Sequence, residues 1–458
     1  MAVYFVLPRS VRNFWLMLAS VVFYSWGGWA FLPILFVSVI ADYALGFLAA
    51  RGHTREDPRL KRLAVGLSVA VNIGLLGYFK YANFFVEEFD AAFSGLGFDS
   101  SSWTRVALPI GISFFTFQSM SYTIDVARGA AAHLRSPIDF AMYVSLFPQL
   151  IAGPIVRFHE MAAEISDRVV RREDFAEGAL RFAHGLAKKV IIADAVGPVA
   201  DAAFAASSLS ATEAWVGILA YTVQIYFDFS GYSDMAIGLG RMLGFRFPEN
   251  FNRPYSAVSI TDFWRRWHIT LSNWFRDYVY IPLGGSQKGV ARTYSNLVFV
   301  FLVTGLWHGA NWTFVIWGAY HGLLLIAERV IGQRPVGDGA IQYAPLRRAT
   351  TFVLVVVGWV LFRAESLGAA WLYLRSLIPD GGFGSEADLE LSSRTIALLA
   401  IALVVVLLPR GFSGSRLLTN YVGMRPAAAR LATVLLLAPY SAALVLSGTF
   451  SPFLYFQF

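Results

Sequence analysis

Residues 301–320, FLVTGLWHGANWTFVIWGAY, set an imidazole and an amide inside an otherwise apolar run: His308 and Asn311, flanked by Gly305 and Gly309. Ionisable side chains in such segments are costly and are functional candidates by default. A dry site favours the neutral imidazole, which is a competent general base near pH 7. The competing reading is a packed histidine bonded to a carbonyl on a neighbouring helix, and His308 alone leaves the two level. His268 lies in a second segment, residues 259–280, SITDFWRRWHITLSNWFRDYVY. There Phe263, Trp264, Trp267, Leu271, Trp274, Phe275 and Tyr278 recur every three or four residues, while Arg265, Arg266 and Arg276 help form the other face. Ser259 and Asp262 have capping-box spacing. The pattern predicts an amphipathic helix in the membrane interface, with His268 at the border of its aromatic face.

A third cluster, residues 224–241, places Gln224 and Asp228 on one helical face, and Asp234 and Arg241 on another. Its carboxylates could orient a histidine or line a polar passage. Close helix packing at Gly231, Gly238 and Gly240 is the plainer account. Asp42 and Asp125 fall near expected span ends and are expected to reach the interface. His321, 13 residues beyond His308, is expected to be structural. His53, His133, His159 and His184 show no His-Glu-x-x-His spacing, so no metal site is expected. The chain has no cysteine, which excludes disulfides, thiolate metal sites and an acyl-cysteine intermediate in the chain itself.

The elements that must carry these groups follow from composition. The chain is 57% hydrophobic and 15% charged, with mean hydropathy +0.55, against about 25% charged residues in soluble domains. Many windows reach the roughly 20 apolar residues of a spanning helix, so an all-α polytopic membrane protein is expected. The expected spans are 13–27, 29–50, 63–84, 106–127, 178–208, 213–240, 294–307, 312–332, 349–366, 395–409 and 431–450, about 11 in all. Residues 138–156 carry Pro148, Gly153 and Pro154 between basic stretches and predict a re-entrant hairpin. One domain is expected over 1–458, with a catalytic core at about 106–332. Basic loops at 51–62, 334–348 and 410–430 are assigned to the cytoplasm, and acidic loops at 85–105, 201–213 and 380–394 to the outside. The loop 241–293, with eight Lys or Arg against three acids, is then cytoplasmic. The net charge of +7 is read as this loop bias, not as nucleic-acid binding. His308 lies 14 residues beyond Tyr294, roughly 21 Å of helical rise from the cytoplasmic end. The glycine-rich 282–289 lacks Walker spacing and reads as a turn. The residues alone imply a polar passage with a basic mouth suited to an anionic ligand, such as a phosphate-bearing acyl donor or an acidic carrier protein. That reaches an enzyme or transporter acting across a membrane and no further.

Long motifs in order then carry a resemblance. LASVVFYSWG at 18–27, PIGISFFTFQSMSYTIDVARG at 109–129, FPQLIAGPIVR at 147–157, YFDFSGYSDMAIGLGRMLGF at 226–245, NFNRPYSAVSITDFWRRWHITLSNWFRDYVYIPLGG at 250–285 and GLWHGANWTFVIWGAYHG at 305–322 resemble the membrane-bound O-acyltransferase family. They look most like its alginate O-acetyltransferase membrane-subunit branch. From about residue 334 the likeness is less distinctive. Relatives in this branch usually begin with a further apolar stretch before LPRSVRN, so a shortened start or a missing first helix is expected here. The resemblance implies a helical fold around a tunnel in a bacterial inner membrane, with a cytoplasmic acetyl-CoA or other acyl-thioester donor and no permanently bound cofactor. It implies an extracytoplasmic polysaccharide acceptor and a periplasmic or surface acetyltransferase partner. It marks His308 as the catalytic histidine and His268 as a second functional one; Asn311, Asp228, Arg265, Arg266, Arg276 and Trp267 are support candidates beside them. Alternative chemistries within the family are peptidoglycan O-acetylation and D-alanyl transfer to teichoic acid. The non-enzymatic alternative is a polysaccharide exporter or ion pathway.

Overall fold

The computed structural model describes residues 1–94, 103–332, 344–379, 389, 391–408, 426–448 and 452–454. Among them the regular structure is helical, with no strand. Each expected apolar segment contains helix. In order these include Arg9–Gly28, Leu32–Thr54, Pro58–Phe93, Ile112–Arg128, Ala211–Met242, Val290–His308, Trp312–Val330, Ala344–Arg363, Ser393–Leu407 and Pro426–Leu446. The segment expected at 178–208 is two helices, Arg172–Ala187 and Asp194–Ala205, joined by a π-helical turn at Lys188–Ala193. Among the described residues, the stretches Arg9–Thr54, Pro58–Phe93, Val290–His308 and Pro345–Arg363 are long and apolar enough to cross a membrane. The basic loop expected at 334–348 lies largely outside the described residues, as do most of the loops expected at 380–394 and 410–430.

The chain forms two compact units, residues 1–175 with 239–248, and residues 176–238 with 249–458. In the first, Asp57 caps the helix Pro58–Phe93 by accepting from the amides of Arg59 and Leu60, with proline at the position where its missing N–H costs nothing. Asp42, expected to reach the interface, is enclosed by protein. It is fully buried and accepts hydrogen bonds from Ser68, Asn72 and Thr123. Asp125 is also buried, and accepts from the His159 amide at 3.0 Å with the His159 ring 2.8 Å away. A carboxylate inside an apolar bundle is tolerated when neighbours saturate its oxygens. Over 137–157, two short helices, Pro137–Ser145 and Phe147–Leu150, lead into non-helical backbone that is nearly all buried. Side chains satisfy that backbone: Gln149 donates to the Tyr143 carbonyl, Tyr143 to the Val156 carbonyl, and the Phe147 amide to Ser20.

The second unit has an aromatic core. Its helical hairpin Val290–His308 and Trp312–Val330 is set by two glycines. A methyl on Gly305 would meet the Phe314 carbonyl oxygen at 2.2 Å, and one on Gly318 would meet that of Phe301 at 2.3 Å. Small residues thus let two helix backbones touch. The segment 259–280 departs from the expected single interfacial helix. It is Ile260–Trp264, a break, Ile269–Phe275 and a π-helical turn Arg276–Tyr280. The extended stretch at Asn250–Asn252 captures its backbone: the Asn252 amide bonds the Arg266 carbonyl, and the Ile269 amide bonds the Asn250 carbonyl. His268 takes the left-handed conformation, φ +44°, an uncommon one for a side-chain-bearing residue. The face Phe263, Trp264, Trp267, Leu271, Trp274 and Phe275 is buried in protein instead of lying open for lipid.

Candidate active site

His308 is the last residue of its helix and is buried. The chain leaves it in extended backbone at Gly309 and restarts at Asn311. Asn311 caps the next helix by accepting from the Thr313 amide at 3.0 Å, and its amide group donates to the Glu365 carbonyl at 2.9 Å. Gly-Ala-Asn is therefore a capped turn that holds His308 at a helix end, and Asn311 supports it through the backbone. The imidazole packs edge-on against Trp307, Trp317 and Phe362, with ring centroids 4.9, 5.2 and 5.0 Å away.

A small cavity of about 30 Å³ opens beside it, lined by His308, Asp228, Phe229, Trp267, Trp317 and Leu454 among others. Its size is on the order of one water's share of liquid volume. Folding thus brings together three residues singled out in the sequence, His308, Asp228 and Trp267. Asp228 is held by Lys189 at 2.6 Å and accepts from the Leu454 amide at 3.0 Å. Lys189 also reaches Asp194 at 2.7 Å. Lys189 and Asp194 escaped the sequence reading, although an ionisable pair in an apolar run was the available signal. Asp234 does not pair with Arg241: its partners are Arg181 and Lys188, while Arg241 pairs with Asp174.

His268 is buried next to this cavity without lining it. Its ring lies 4.8 Å from Phe229 and 6.0 Å from Trp307. Its Nδ1 is 3.1 Å from Asn250 Oδ1, which fixes the tautomer with the proton on Nδ1 and leaves Nε2 a free acceptor. Burial pushes its pKa down to about 3, so this ring is neutral at ordinary pH. Asn250 also accepts from the Thr270 hydroxyl and donates to Ser233. It is a positioning residue that the sequence did not reveal.

A larger cavity of about 360 Å³ has Arg265, Arg276 and Arg329 in its lining, together with Trp264, Phe275, Tyr280, Val300 and Thr304. This lies at the lower end of the roughly 300–1,000 Å³ typical of small-molecule sites. Thr304 is one helical turn before His308 on the same face. Arg265 is exposed, and Arg276 pairs with Asp277. Arg266 does not join them. It is buried against Asp262 at 2.7 Å and bonds the Asn252 carbonyl, a structural task. A third cavity, about 200 Å³, is lined by Asp201, Phe204, Arg363, Glu365 and Tyr373 among others. Arg363 follows Phe362, which touches His308. Among the described residues no cluster of His, Cys, Asp or Glu is arranged to hold a metal.

Such a site, with an imidazole at a small cavity and a basic, apolar-walled cavity one helical turn away, suits acyl transfer. The sequence profile of the membrane-bound O-acyltransferase family matches residues 111–334. A probable alginate O-acetylase of Azotobacter vinelandii is 43% identical over all of this chain and 97% of its own length. A peptidoglycan O-acetyltransferase of Helicobacter pylori is 39% identical over 82% of this chain and 76% of its own. A teichoic acid D-alanyltransferase of Bacillus subtilis is 28% identical over 54% and 65%. The chain belongs to the membrane-bound O-acyltransferase family and is a membrane-embedded O-acyltransferase.

Proposed function

We propose that this enzyme carries acetyl groups from an acyl thioester on the cytoplasmic side to hydroxyls of an extracytoplasmic polysaccharide, with His308 as general base. The observation that carries the reading is the Arg-rimmed cavity that runs along the His308 helix to Thr304. Its arginines suit the phosphates of acetyl-CoA or an acidic carrier, and its apolar walls suit a pantetheine arm. The basic loop 241–293 supports a cytoplasmic mouth. The cavity bounded by 201–209 and 363–376 would serve the acceptor or a partner enzyme on the opposite side, so the route through His308 acts as a tunnel across the bacterial inner membrane.

In the transfer, His308 takes the proton of the attacking hydroxyl as its oxygen bonds to the thioester carbon. The tetrahedral species collapses, the C–S bond breaks, and the thiolate leaves with the proton that His308 held. No permanently bound cofactor is needed. His268, neutral and oriented by Asn250, offers Nε2 to the donor side. Arg265 and Arg276 hold the donor, while Trp267 and Asp228 shape the chamber. About 11 crossings and the re-entrant 138–156 complete the proposed fold, a single catalytic domain over 1–458.

Alginate or another exopolysaccharide is the first acceptor, in line with the 43% identity to a probable alginate O-acetylase along the whole chain. A periplasmic or surface acetyltransferase would complete delivery. Peptidoglycan is the second reading, favoured by the 39% identity to a peptidoglycan O-acetyltransferase. The test is His308→Ala, with polymer export and ester content measured separately. Exported polymer lacking acetyl esters supports the proposal. Normal acetylation by a stably produced variant removes His308 from the mechanism, and loss of export itself would favour an exporter.

A further inference from the structure

Three neighbouring buried side chains of the second unit hold polar atoms with no hydrogen-bond partner among the described residues. They are the indole nitrogens of Trp264 and Trp317 and both ring nitrogens of His321. Relative exposures are 7%, 1% and 0%. The rings touch one another: Trp264 to Trp317 at 5.7 Å, and His321 to each of them at 5.1 Å. Phe263, Phe301 and Tyr320 pack around His321 and provide no acceptor to it. The Tyr320 hydroxyl is committed to the Leu354 carbonyl. A methyl on Gly358 would lie 2.9 Å from His321 Nε2, so the bare glycine lets the helix Ala344–Arg363 pack close to that nitrogen.

Leaving one buried donor unpaired costs about 1–3 kcal/mol, and folded proteins rarely tolerate it. A phenylalanine at 321 would fill the same aromatic box without that cost. Position gives the reason to keep the imidazole. Trp264 lines the Arg-rimmed cavity, and Trp317 lines the His308 cavity with its ring 5.2 Å from that of His308. The cluster therefore stands in the wall between the two. Each indole offers one N–H and no acceptor, and a neutral imidazole offers one N–H more. The cluster thus holds three N–H donors against a single acceptor, the other imidazole nitrogen, and this excess of donors complements a ligand that brings an acceptor.

We propose that His321, together with the indole N–H groups of Trp264 and Trp317, binds the carbonyl oxygen of the acyl donor in this wall and stabilises the oxyanion formed during transfer. The inference rests on the acetyltransferase reading above. As the hydroxyl oxygen bonds to the thioester carbon, the C=O π pair moves onto the oxygen held by these N–H groups. The pair returns as the C–S bond breaks, and the thiolate takes the proton from His308. Such donors act in a dry site where they need no reorganisation.

The test uses membrane vesicles carrying the full chain, radiolabelled acetyl-CoA and endogenous polymer, alongside thermal melts of the purified protein. His321→Phe should lower the maximal rate about 100-fold, within the range for loss of one oxyanion donor, leave KM for acetyl-CoA within about 3-fold, and leave the melting temperature equal or raised. His321→Gln, which keeps an N–H, should recover about 10-fold over His321→Phe. Should His321→Phe not accumulate, Trp264→Phe should lose about 10-fold in rate with an unchanged melt. His321→Phe or Trp264→Phe at more than half the wild-type rate overturns this inference alone. Equal losses in His321→Phe and His321→Gln with lowered melting assign His321 to packing and also overturn it. Wild-type vesicles that transfer no acetyl group overturn the functional reading and this inference together.

Discussion

Replacing Lys189 with methionine should cost both stability and activity, through one buried ammonium. Lys189 is 1% exposed. Its Nζ lies 2.7 Å from Asp194 and 2.6 Å from Asp228, and donates to the Pro452 carbonyl at 3.2 Å. Methionine keeps most of the stem and removes the charge, leaving two carboxylates in one dry site. The value of exposed ion pairs, about 0–1 kcal/mol, does not apply, because both carboxylate side chains are at most 7% exposed. Removing one partner of a buried pair costs about 3–5 kcal/mol. At roughly 2 °C per kcal/mol for a large domain, the melting temperature should fall by about 6–10 °C. Asp228 and Leu454 both line the His308 cavity and bond each other, so acetyl transfer should fall as well. The assay is a thermal melt in detergent beside ester content of the polymer. The triple variant Lys189→Met, Asp194→Asn, Asp228→Asn should regain most of the melting temperature, because the uncompensated charges are gone. A Lys189→Met protein melting within about 2 °C of wild type, given that expectation, would refute the reasoning.

Gly305→Ala or Gly318→Ala should separate the hairpin that carries His308, since the new methyl meets a carbonyl oxygen at 2.2 or 2.3 Å. A loss of about 1–3 kcal/mol should appear in the melt, with activity falling further than stability explains. Asn250→Ala should leave His268 Nδ1–H unpaired, cost about 1–3 kcal/mol in the active arrangement, and slow transfer by roughly 10- to 100-fold, which initial rates will report. The Asp125 hydrogen bond raises the His159 pKa above its ordinary 6.5. Its contribution is thus full below about pH 6.5 and lost as pH rises through the raised folded value. The melting advantage of wild type over His159→Gln should therefore be larger at pH 5.5 than at 8.5, and small, since the His159 side chain is 34% exposed.

Much of the helical architecture was legible in the sequence, because lipid-scale apolar segments repeat along it. All the expected segments contain helix, and the Gly-Ala-Asn interruption after His308 is a helix break, with Asn311 capping the next helix. The motif order also marked the family, since a long run of spaced residues is a strong signal. The segment around His268 was misread for a physical reason. Its aromatic periodicity is real, but backbone contacts from Asn252 to Arg266 and from Asn250 to Ile269, made by residues outside the periodic run, decide that the helix breaks. Periodicity has no knowledge of such a partner.

The sequence by itself determined that this is a helical membrane protein of an acyl-transferring family, with His308 at an interrupted apolar segment. The helical membrane character rests on hydrophobicity and charge, and the family on the resemblance carried by the long motifs. Tertiary structure alone decided which polar groups meet. It joined Lys189 to Asp194 and Asp228, set Asn250 behind His268, and gathered Trp264, Trp317 and His321 between two cavities. Arg266, plausible as a donor-binding cation, was drawn instead to Asp262. The reason is that pairing energies inside the fold depend on burial and on distances of a few ångströms between residues far apart in the chain, and sequence spacing carries neither.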